Sequence, residues 1–385
     1  MTEEGIADRL DRSTGLDVSV LTQWQLIRLR FSRHRLAVGA LHLLLVLYLM
    51  ALFAGFWAPY DQSWREMRYA NCYPQLPMFD FESGLHFDTV SIQRDPVTLK
   101  TYYLTDPHRP VPLGFFVAGT PYRLFGLIEM DTHFVGVDLE RFREWYPEES
   151  GTPPPFLLLG SDKYGHDILS RIIYGSRISL SIGLVAIAIT FVLGVTIGGI
   201  SGYVGGGIDT FIQRAIEVLA SFPQLPLWLA FGAFMPKDWS ALKTYFAITI
   251  VLSLLGWTGL ARVVRGKILS LREEDYAVAA RLIGAGHGRV LLRHLLPGFT
   301  SHIIVSLTLS VPGMILAETA LSFLGLGLRP PIVSWGVMLQ DCMNLEVVAN
   351  YPWLLMPVLF IVVTVLAFNF LGDGLRDAAD PYSVT

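Results

Sequence analysis

The side chains that could carry out chemistry are sparse and do not form a catalytic set. Two glycine-rich stretches, GYVGGG at 202–207 and GAGHG at 284–288, have backbones that could approach a phosphate. Both lack the Lys-Ser/Thr pair that a nucleotide-binding P-loop needs. We interpret them as tight turns and predict that this chain is not an enzyme, does not hydrolyse ATP, and has no catalytic, cofactor-binding or metal-ligating residue.

The cysteines and histidines also give no sign of a metal site. Two cysteines, Cys72 and Cys342, exclude a disulfide scaffold and a cysteine-based zinc module. In the six-span topology derived below they fall on the same side, so a disulfide is an alternative to the two unpaired thiols that we predict. His86, His108 and His133 lack the close spacing of metal ligands and are predicted to be surface or hydrogen-bonding residues.

Few ionisable residues lie within apolar stretches. Arg214 and Glu217 are three positions apart, which predicts an ion pair on one helix face. Glu318 is either a gate or translocation-path residue, or a carboxylate bonded to backbone N–H groups of the SFLGLG turn that follows it. Pro312 interrupts the same apolar stretch, where it either shapes or hinges the path or forms a static kink.

The composition indicates a membrane protein. The 385 residues are 52% hydrophobic and only 16% charged, with a mean hydropathy of +0.47, whereas soluble domains have about 25% charged residues. The formal net charge of −4 argues against nucleic acid as a partner.

Six stretches have the roughly 20 apolar residues that a membrane-spanning helix needs. They are residues 36–58, 178–200, 211–234, 245–263, 299–320 and 353–371. If they alternate in direction, the arginine-rich segment 1–35, the loop 264–298 and the tail 372–385 lie on one side, which the excess of basic residues identifies as cytoplasmic. The predicted fold is therefore an all-α polytopic membrane protein with six transmembrane helices.

The segment 59–159 between the first two spans is expected outside the cytoplasm. It is acidic and rich in aromatic residues, and LKTYYLT (99–105) and PLGFFVAG (112–119) are typical of strands. DLERFREWY (138–146) predicts a short amphipathic helix with Asp138 as its N-cap. These features indicate a folded extracytoplasmic α+β insertion rather than a linker.

The segment 275–297 has small residues and two glycine break points between two spans. Its spacing predicts a helix beginning near Glu273 with one face formed by a set of four residues, then a turn, then a second short helix ending at Pro297. The candidate coupling residues are Tyr276, Ala279, Ala280, Ile283, Gly284 and Ala285, of which the first four form that face. The alternative is an interfacial helix that lies on lipid headgroups.

This segment resembles the cytoplasmic coupling loop of ABC importer permeases, with the pattern E-A-A, then Gly, then L-P. Val278 stands where the pattern has its glutamate, and the positions that fit are Ala279, Ala280, Gly284, Leu296 and Pro297. Three more stretches are similar to C-type permeases of the dipeptide/oligopeptide (peptide/opine/nickel) family: GSDKYGHDILSRIIYGSRISL (160–180), AETALSFLGLGLRPPIVSWGVML (317–339) and GDGLRDAADP (372–381).

The resemblance implies a type I importer core over 160–371 in the bacterial cytoplasmic (inner) membrane, with both termini cytoplasmic. It implies a permease for oligopeptides or similar small solutes. Its partners would be a second, homologous permease subunit in a heterodimer, two ATPase subunits that bind ATP and Mg, a periplasmic solute-binding protein and membrane lipid. This chain would hold no cofactor. The insertion is expected to contact the binding protein or cap the path, or else only to stabilise the chain.

Other functional classes stay open at this point. One is an exporter-type subunit, or a transporter of a sugar, an opine or a metal complex. Another is a membrane-anchored enzyme with its active site in the insertion, although no nucleophile–base pair or metal spacing is present there.

Overall fold

The computed structural model describes residues 22–81, 83–97, 101–148, 151–236 and 238–379. The order of its elements is α1 (Gln23–Arg33), α2 (Arg35–Leu52), α3 (Ala54–Trp57), β1 (Met78–Asp80), β2 (Gly84–Arg94), β3 (Thr101–Leu124), β4 (Ile128–Val137), α4 (Leu139–Trp145), α5 (Ile168–Val204), α6 (Gly206–Ser221), α7 (Gln224–Phe234), α8 (Ala241–Leu271), α9 (Asp275–Leu282), α10 (His287–Arg289), α11 (Thr300–Phe323), α12 (Trp335–Met338), α13 (Leu345–Asn350) and α14 (Met356–Ala379).

The prediction of a mostly helical polytopic membrane protein is confirmed. Among the described residues, five helical stretches are long and apolar enough to cross a membrane: Arg35–Leu52, Ile168–Val204, Ala241–Leu271, His287–Phe323 and Pro352–Ala379. Several are longer than the apolar stretches predict. The 37 residues of α5, at about 1.5 Å each, extend roughly 55 Å. This exceeds a hydrocarbon core of about 30 Å, so α5 continues into the aqueous region.

The third predicted span is not one straight helix. Over 211–234 the structure has α6 and α7, which meet at an angle of 82° and give a sixth span only if the bent pair is counted as one. The break follows from Pro223, because a proline disfavours helical dihedrals in the residue before it. Phe222 is accordingly extended, with φ −87° and ψ 134°.

The chain divides into two compact units. The first comprises Met1–Leu45, Ile182–Glu318 and Val362–Thr385, and the second Val46–Ser181 and Thr319–Ile361. The second unit contains the insertion, whose four strands form an antiparallel sheet in the order β1-β2-β3-β4. Its core is made of the buried residues Phe87, Val111, Leu113, Phe142 and Phe156.

The elements of the insertion follow their sequence signals with one difference. Asp138 caps α4 by accepting a hydrogen bond from the backbone N–H of Arg141 at 3.1 Å, as predicted. The two predicted strands are confirmed as strand, but both belong to the single 24-residue β3. Leu99 and Lys100, at the start of the first one, lie outside the described residues.

Candidate functional site

The short helix α9 connects two long helical stretches of the first unit. It begins at Asp275, two residues after the predicted start, because Glu274 is extended (φ −67°, ψ 146°) and is its N-cap residue. It ends before Gly284, whose φ of +87° favours glycine. The N–H groups of Gly284 and Ala285 close the last turn by donating to Arg281 and Ala280, each at 3.0 Å.

One face of α9 packs against its own chain. Ala277 is fully buried and Ala280 is 5% exposed, in a cluster with Val264, Val290 and Leu295. Small side chains at these positions allow the helix backbone to approach closely. The prediction placed Ala280 on the same face as Tyr276, but its side chain is covered by this chain. Ala280 therefore positions the helix instead of lying on its free surface.

The opposite face of α9 is uncovered, and we name it the docking face. It comprises Tyr276 (44% exposed), Ala279, Leu282 (83%) and Ile283 (87%). Sequence reasoning missed Leu282, although its spacing of three from Ala279 was a signal. Of the other candidate residues, Gly284 is exposed and Ala285 is half-buried against the cluster beneath.

Two arginines hold α9 against the ends of the long helices. The Arg272 guanidinium donates to the carbonyl oxygen of Gly202, with Nη1 and O 3.1 Å apart. Arg281, in the last turn of α9, donates through Nη2 to the carbonyl oxygen of Arg272 at 2.7 Å. These two bonds, named the tether below, connect α9 to the end of α5 through Arg272.

The ends of α5, α6 and α8 are joined by an ion pair. Arg265 donates from Nε and Nη2 to the two carboxylate oxygens of Asp209, each at 2.6 Å. Ser201 adds a hydrogen bond to the same carboxylate at 2.5 Å. A bidentate, half-buried pair of this kind fixes orientation as well as distance. The helix ends around α9 are therefore tied together.

Glycines in α5 bring it close to α8. A Cβ on Gly198 would lie 2.8 Å from the Cα of Ala261, and a Cβ on Gly202 would lie 2.8 Å from the carbonyl oxygen of Arg265. Any larger residue would push the helices apart, so these glycines serve close packing. The glycine-rich stretch 202–207 contains a turn in which Gly205 and Gly206 have φ of +69° and +59°.

The helix after α9 does not stop where the sequence predicts. From His287 to Phe323 the chain is continuously helical, so the prediction that a short helix ends at Pro297 is wrong. A π-helical stretch, Val290–Leu295, is followed by the 3₁₀ turn Leu296–Phe299 with the proline at its start. There the missing N–H of proline costs no hydrogen bond. Between α9 and α11 the helix therefore breaks at the turn 283–286 and not at Pro297.

The two candidate path residues lie far from α9. Pro312 is inside α11 and buried, and Glu318 is fully buried. At about 1.5 Å per residue, Glu318 lies roughly 28 Å along the helix from Phe299. In the turn after α11, the N–H groups of Gly325 and Gly327 donate to the carbonyls of Ser322 and Leu321. Backbone carbonyls at the end of α11 therefore accept the hydrogen bonds of these two N–H groups.

The other ionisable and thiol residues have local roles. The predicted pair is confirmed, with Arg214 Nη1 2.6 Å from Glu217 Oε2 on an exposed face. Cys72 and Cys342 are free thiols. Burial raises the pKa of Cys72 to about 12 and that of Cys342 to about 11, so both are poor nucleophiles at neutral pH. His133 is buried rather than at the surface, with its ring nitrogens on two backbone carbonyls.

A polar cluster of the second unit lies in the stretch 160–180. The carboxylate of Asp162 accepts hydrogen bonds from the backbone N–H groups of Tyr164 (2.8 Å) and His166 (3.0 Å), and from Arg171. Lys163 forms an ion pair of 2.7 Å with Asp341. A cavity of about 160 Å³ lies between these groups. Lys163 thus joins the first of the stretches that carry the family resemblance to a residue two positions after the stretch 317–339.

Two family models match the chain. One, described as binding-protein-dependent transport system inner membrane component, matches residues 194–382. The other, the N-terminal TM domain of oligopeptide transport permease C, matches residues 22–75.

Curated relatives extend these matches. A dipeptide transport system permease protein of Bacillus subtilis (strain 168) is 40% identical over 239 residues, covering 62% of this chain and 73% of the relative. An oligopeptide transport system permease protein of Haemophilus influenzae is 41% identical over 224 residues, covering 58% and 69%. A glutathione transport system permease protein of Pectobacterium atrosepticum is 40% identical over 274 residues, covering 71% and 87%.

Proposed function

We propose that this chain moves oligopeptides or similar small solutes through the bacterial inner membrane. The premise is that the chain belongs to the family of inner membrane components of binding-protein-dependent transport systems. The chain is a permease subunit of an ABC importer and not an enzyme, because its relatives are permease subunits and ATP is hydrolysed by separate ATPase subunits. The solute class is inferred from relatives named for dipeptides, oligopeptides and glutathione.

The proposed complex has this chain beside a second, homologous permease subunit, with two ATPase subunits that bind ATP and Mg and a periplasmic solute-binding protein. In the proposed orientation both termini and α9 face the cytoplasm, and the insertion faces outward. The concentration of arginines on the α9 side supports this orientation, since cytoplasmic loops carry the excess of basic residues.

The observation that carries the mechanism is the contrast between the two faces of α9. Its inner face is buried and tethered to the helix ends, while Leu282 and Ile283 are more than four-fifths exposed on the outer face. Burial of a Leu or Ile side chain contributes about 1.5–3 kcal/mol. We infer that an ATPase subunit covers the docking face. Closure of the ATPase dimer would then shift α9 and the helices attached to it as a rigid body.

The test is to replace Ile283 by Asp in the complex reconstituted in proteoliposomes with its binding protein. Ile283→Asp places a charge where the ATPase would bury an apolar side chain, so solute uptake and ATPase binding should both fall at least tenfold. The matched control is Leu345→Asp, because Leu345 is 84% exposed on α13. The control should retain both activities.

A cross-link identifies what covers the face. Ala279→Cys, treated with a short thiol cross-linker, should link this chain to the ATPase subunit. If the Ile283→Asp complex retains its ATPase and its uptake, and Ala279→Cys reacts only with lipid-borne reagents, then α9 is an interfacial helix and the coupling proposal fails.

A further inference from the structure

The turn between β3 and β4 is apolar and exposed. We name residues 124–128 (Leu-Phe-Gly-Leu-Ile) the hairpin tip. Phe125 is 54% exposed, Leu127 85% and Ile128 57%. Hairpin turns in water are usually built from Gly, Asn, Asp and Ser. Phe125 also has a positive φ of 53°, a conformation unfavourable for a large side chain. Exposing three large apolar side chains to water in a strained turn would be unfavourable.

The position of the hairpin tip is set by the end of the first span. The ring of Phe125 lies 5.7 Å from the ring of Phe53, and Phe53 directly follows the 18-residue helix α2. Below the tip, the Tyr122 ring packs where a Cβ on Gly55 would stand. His133 Nδ1 is 2.5 Å from the carbonyl oxygen of Ala58. The hairpin therefore runs along residues 53–58 with its tip toward the membrane.

Aromatic residues continue this apolar surface away from the tip. The Phe134 ring lies 4.7 Å from Trp57, 6.0 Å from Phe56 and 5.8 Å from Phe116. Phe115 and Phe116 are 58% and 65% exposed. Tryptophan and other aromatic side chains are favoured where hydrocarbon meets water. The sheet thus presents an aromatic surface at the depth of the end of the span.

The surface is continuous with exposed apolar side chains of the first span. On the last two turns of α2, Val46, Leu49 and Leu52 are 59%, 43% and 48% exposed, which in a membrane-spanning helix means contact with lipid or another spanning helix. At the base of the tip, Arg123 and Glu129 form an exposed ion pair of 2.8 Å. An ion pair belongs on the water side, where a long Arg side chain can extend to the headgroups.

We propose that the hairpin tip is inserted into the lipid leaflet at the C-terminal end of the first span, which is the outer leaflet in the proposed orientation. Phe125, Leu127 and Ile128 then contact acyl chains, and the Arg123–Glu129 pair lies among the headgroups. The insertion is thereby held against the membrane at a fixed height.

Spin labelling in liposomes tests this insertion. A nitroxide attached to Leu127→Cys in the full complex is measured by power saturation with oxygen, which concentrates in lipid, and with a water-soluble nickel chelate. The parent complex, labelled in parallel, is the blank for its two free thiols. The matched control is Val97→Cys, which is 88% exposed beyond the opposite end of β3.

The expected result is an oxygen-to-nickel collision ratio several-fold higher at Leu127→Cys than at Val97→Cys. Equal ratios at the two sites would place the tip in water. Low collision rates with both reagents at Leu127→Cys would place it against protein, either the second permease or the binding protein. Both results overturn the proposal. If Leu127→Cys does not assemble, Ile128→Cys gives the same comparison. The measurement needs no transport, so it is independent of the proposed function.

Discussion

The pKa values of two buried carboxylates, Asp162 and Asp167, are shifted in opposite directions. Burial opposes ionisation of Asp162, but the hydrogen bond from His166 and the charge of Arg171 hold the pKa of Asp162 below its usual value. For Asp167, burial dominates over its hydrogen bonds to Ser170 and raises the pKa to about 6. Asp167 still caps α5, with Oδ2 2.7 Å from the N–H of Ser170. Its capping role therefore competes with the cost of burying its charge.

We predict that Asp167→Asn stabilises the protein at pH 8 and has no such advantage at pH 4. The folded-state pKa of about 6 lies above an unfolded value of about 3.9, so the parent loses stability as pH rises from about 4 to about 6, by roughly 3 kcal/mol at most. Asparagine keeps the capping oxygen without the charge. The measurement is Tm of the detergent-solubilised protein from pH 4 to pH 8.

Asp162→Asn is the control with the opposite sign. Its folded-state pKa is lowered, so the stability from its ionised form is present at neutral pH and is lost on acidification. This variant should therefore be less stable than the parent at pH 8. If Tm of Asp167→Asn differed from that of the parent by the same amount at pH 4 and pH 8, the raised pKa of Asp167 could not be the cause.

Close packing of α5 against α8 makes a second prediction at this scale. Gly198→Ala places a Cβ 2.8 Å from the Cα of Ala261 and should cost about 1–3 kcal/mol through overpacking. Gly259→Ala is the matched control, since a Cβ there meets nothing within 4 Å. Its helix position should make it neutral or stabilising by up to about 1 kcal/mol. The measurement is Tm of the two purified variants. Equal Tm values would contradict the close packing of α5 against α8.

At the scale of elements, α9 can transmit force only if it moves with the long helices. Its length of eight residues is too short for an isolated helix to be stable in water. Its persistence depends on the buried cluster beneath it and on the tether. The continuous helix from His287 provides the second connection to the spans.

The tether can be weakened without touching the docking face. Arg272→Ala removes the bond to Gly202 and the side chain that links α9 to α5. ATPase binding and hydrolysis should remain near parent levels, while solute moved per ATP hydrolysed should fall several-fold. The measurement is uptake and phosphate release in the same proteoliposomes. Arg262→Ala is the control, because Arg262 is an exposed arginine within α8, the helix that ends directly before Arg272. Unchanged stoichiometry in Arg272→Ala would exclude the tether as a path for force.

Local sequence signals predicted the structure well where a single side chain or pair of side chains determines the local contact. Asp138 predicted the start of α4, and the paired charges of Arg214 and Glu217 predicted their contact. The signal failed at Pro297, because a π-helical stretch before it allows the helix to continue. It also failed for Ala280, since spacing along a helix cannot tell which side the rest of the chain covers.

For the whole molecule, the apolar stretches predicted the membrane-spanning helices, because the length of an apolar run is read directly along the sequence. The distribution of arginines predicts their orientation, which stays a prediction. The attachment of the insertion depends on contacts between residues far apart in the sequence. Cys72 N–H donates to Ser161 Oγ at 2.8 Å, and Phe125 meets Phe53. No spacing rule gives such pairs, so neither the single long β3 nor the depth of the hairpin tip was predictable.

These contacts also determine where the insertion can be removed. Gln75 and Leu157 are joined by two hydrogen bonds, Gln75 N–H to the Leu157 carbonyl at 2.9 Å and Leu157 N–H to Gln75 Oε1 at 2.7 Å. Their backbones are adjacent, so a two-residue Gly-Ser linker can replace 76–156. A deletion from Arg65 would instead remove Tyr69 and Cys72, which bind Ser161.

We predict that the chain lacking 76–156 assembles with the ATPase subunits and supports their ATP hydrolysis, because the docking face and tether belong to the other unit. If the insertion contacts the binding protein or caps the path, uptake should fall at least tenfold. Uptake kinetics and binding-protein affinity are measured in the same vesicles, with a full-length chain carrying the same linker after Val97 as control. Uptake equal to that of the parent would mean that the insertion only stabilises the chain. Loss of ATPase assembly would show that the two units do not fold independently.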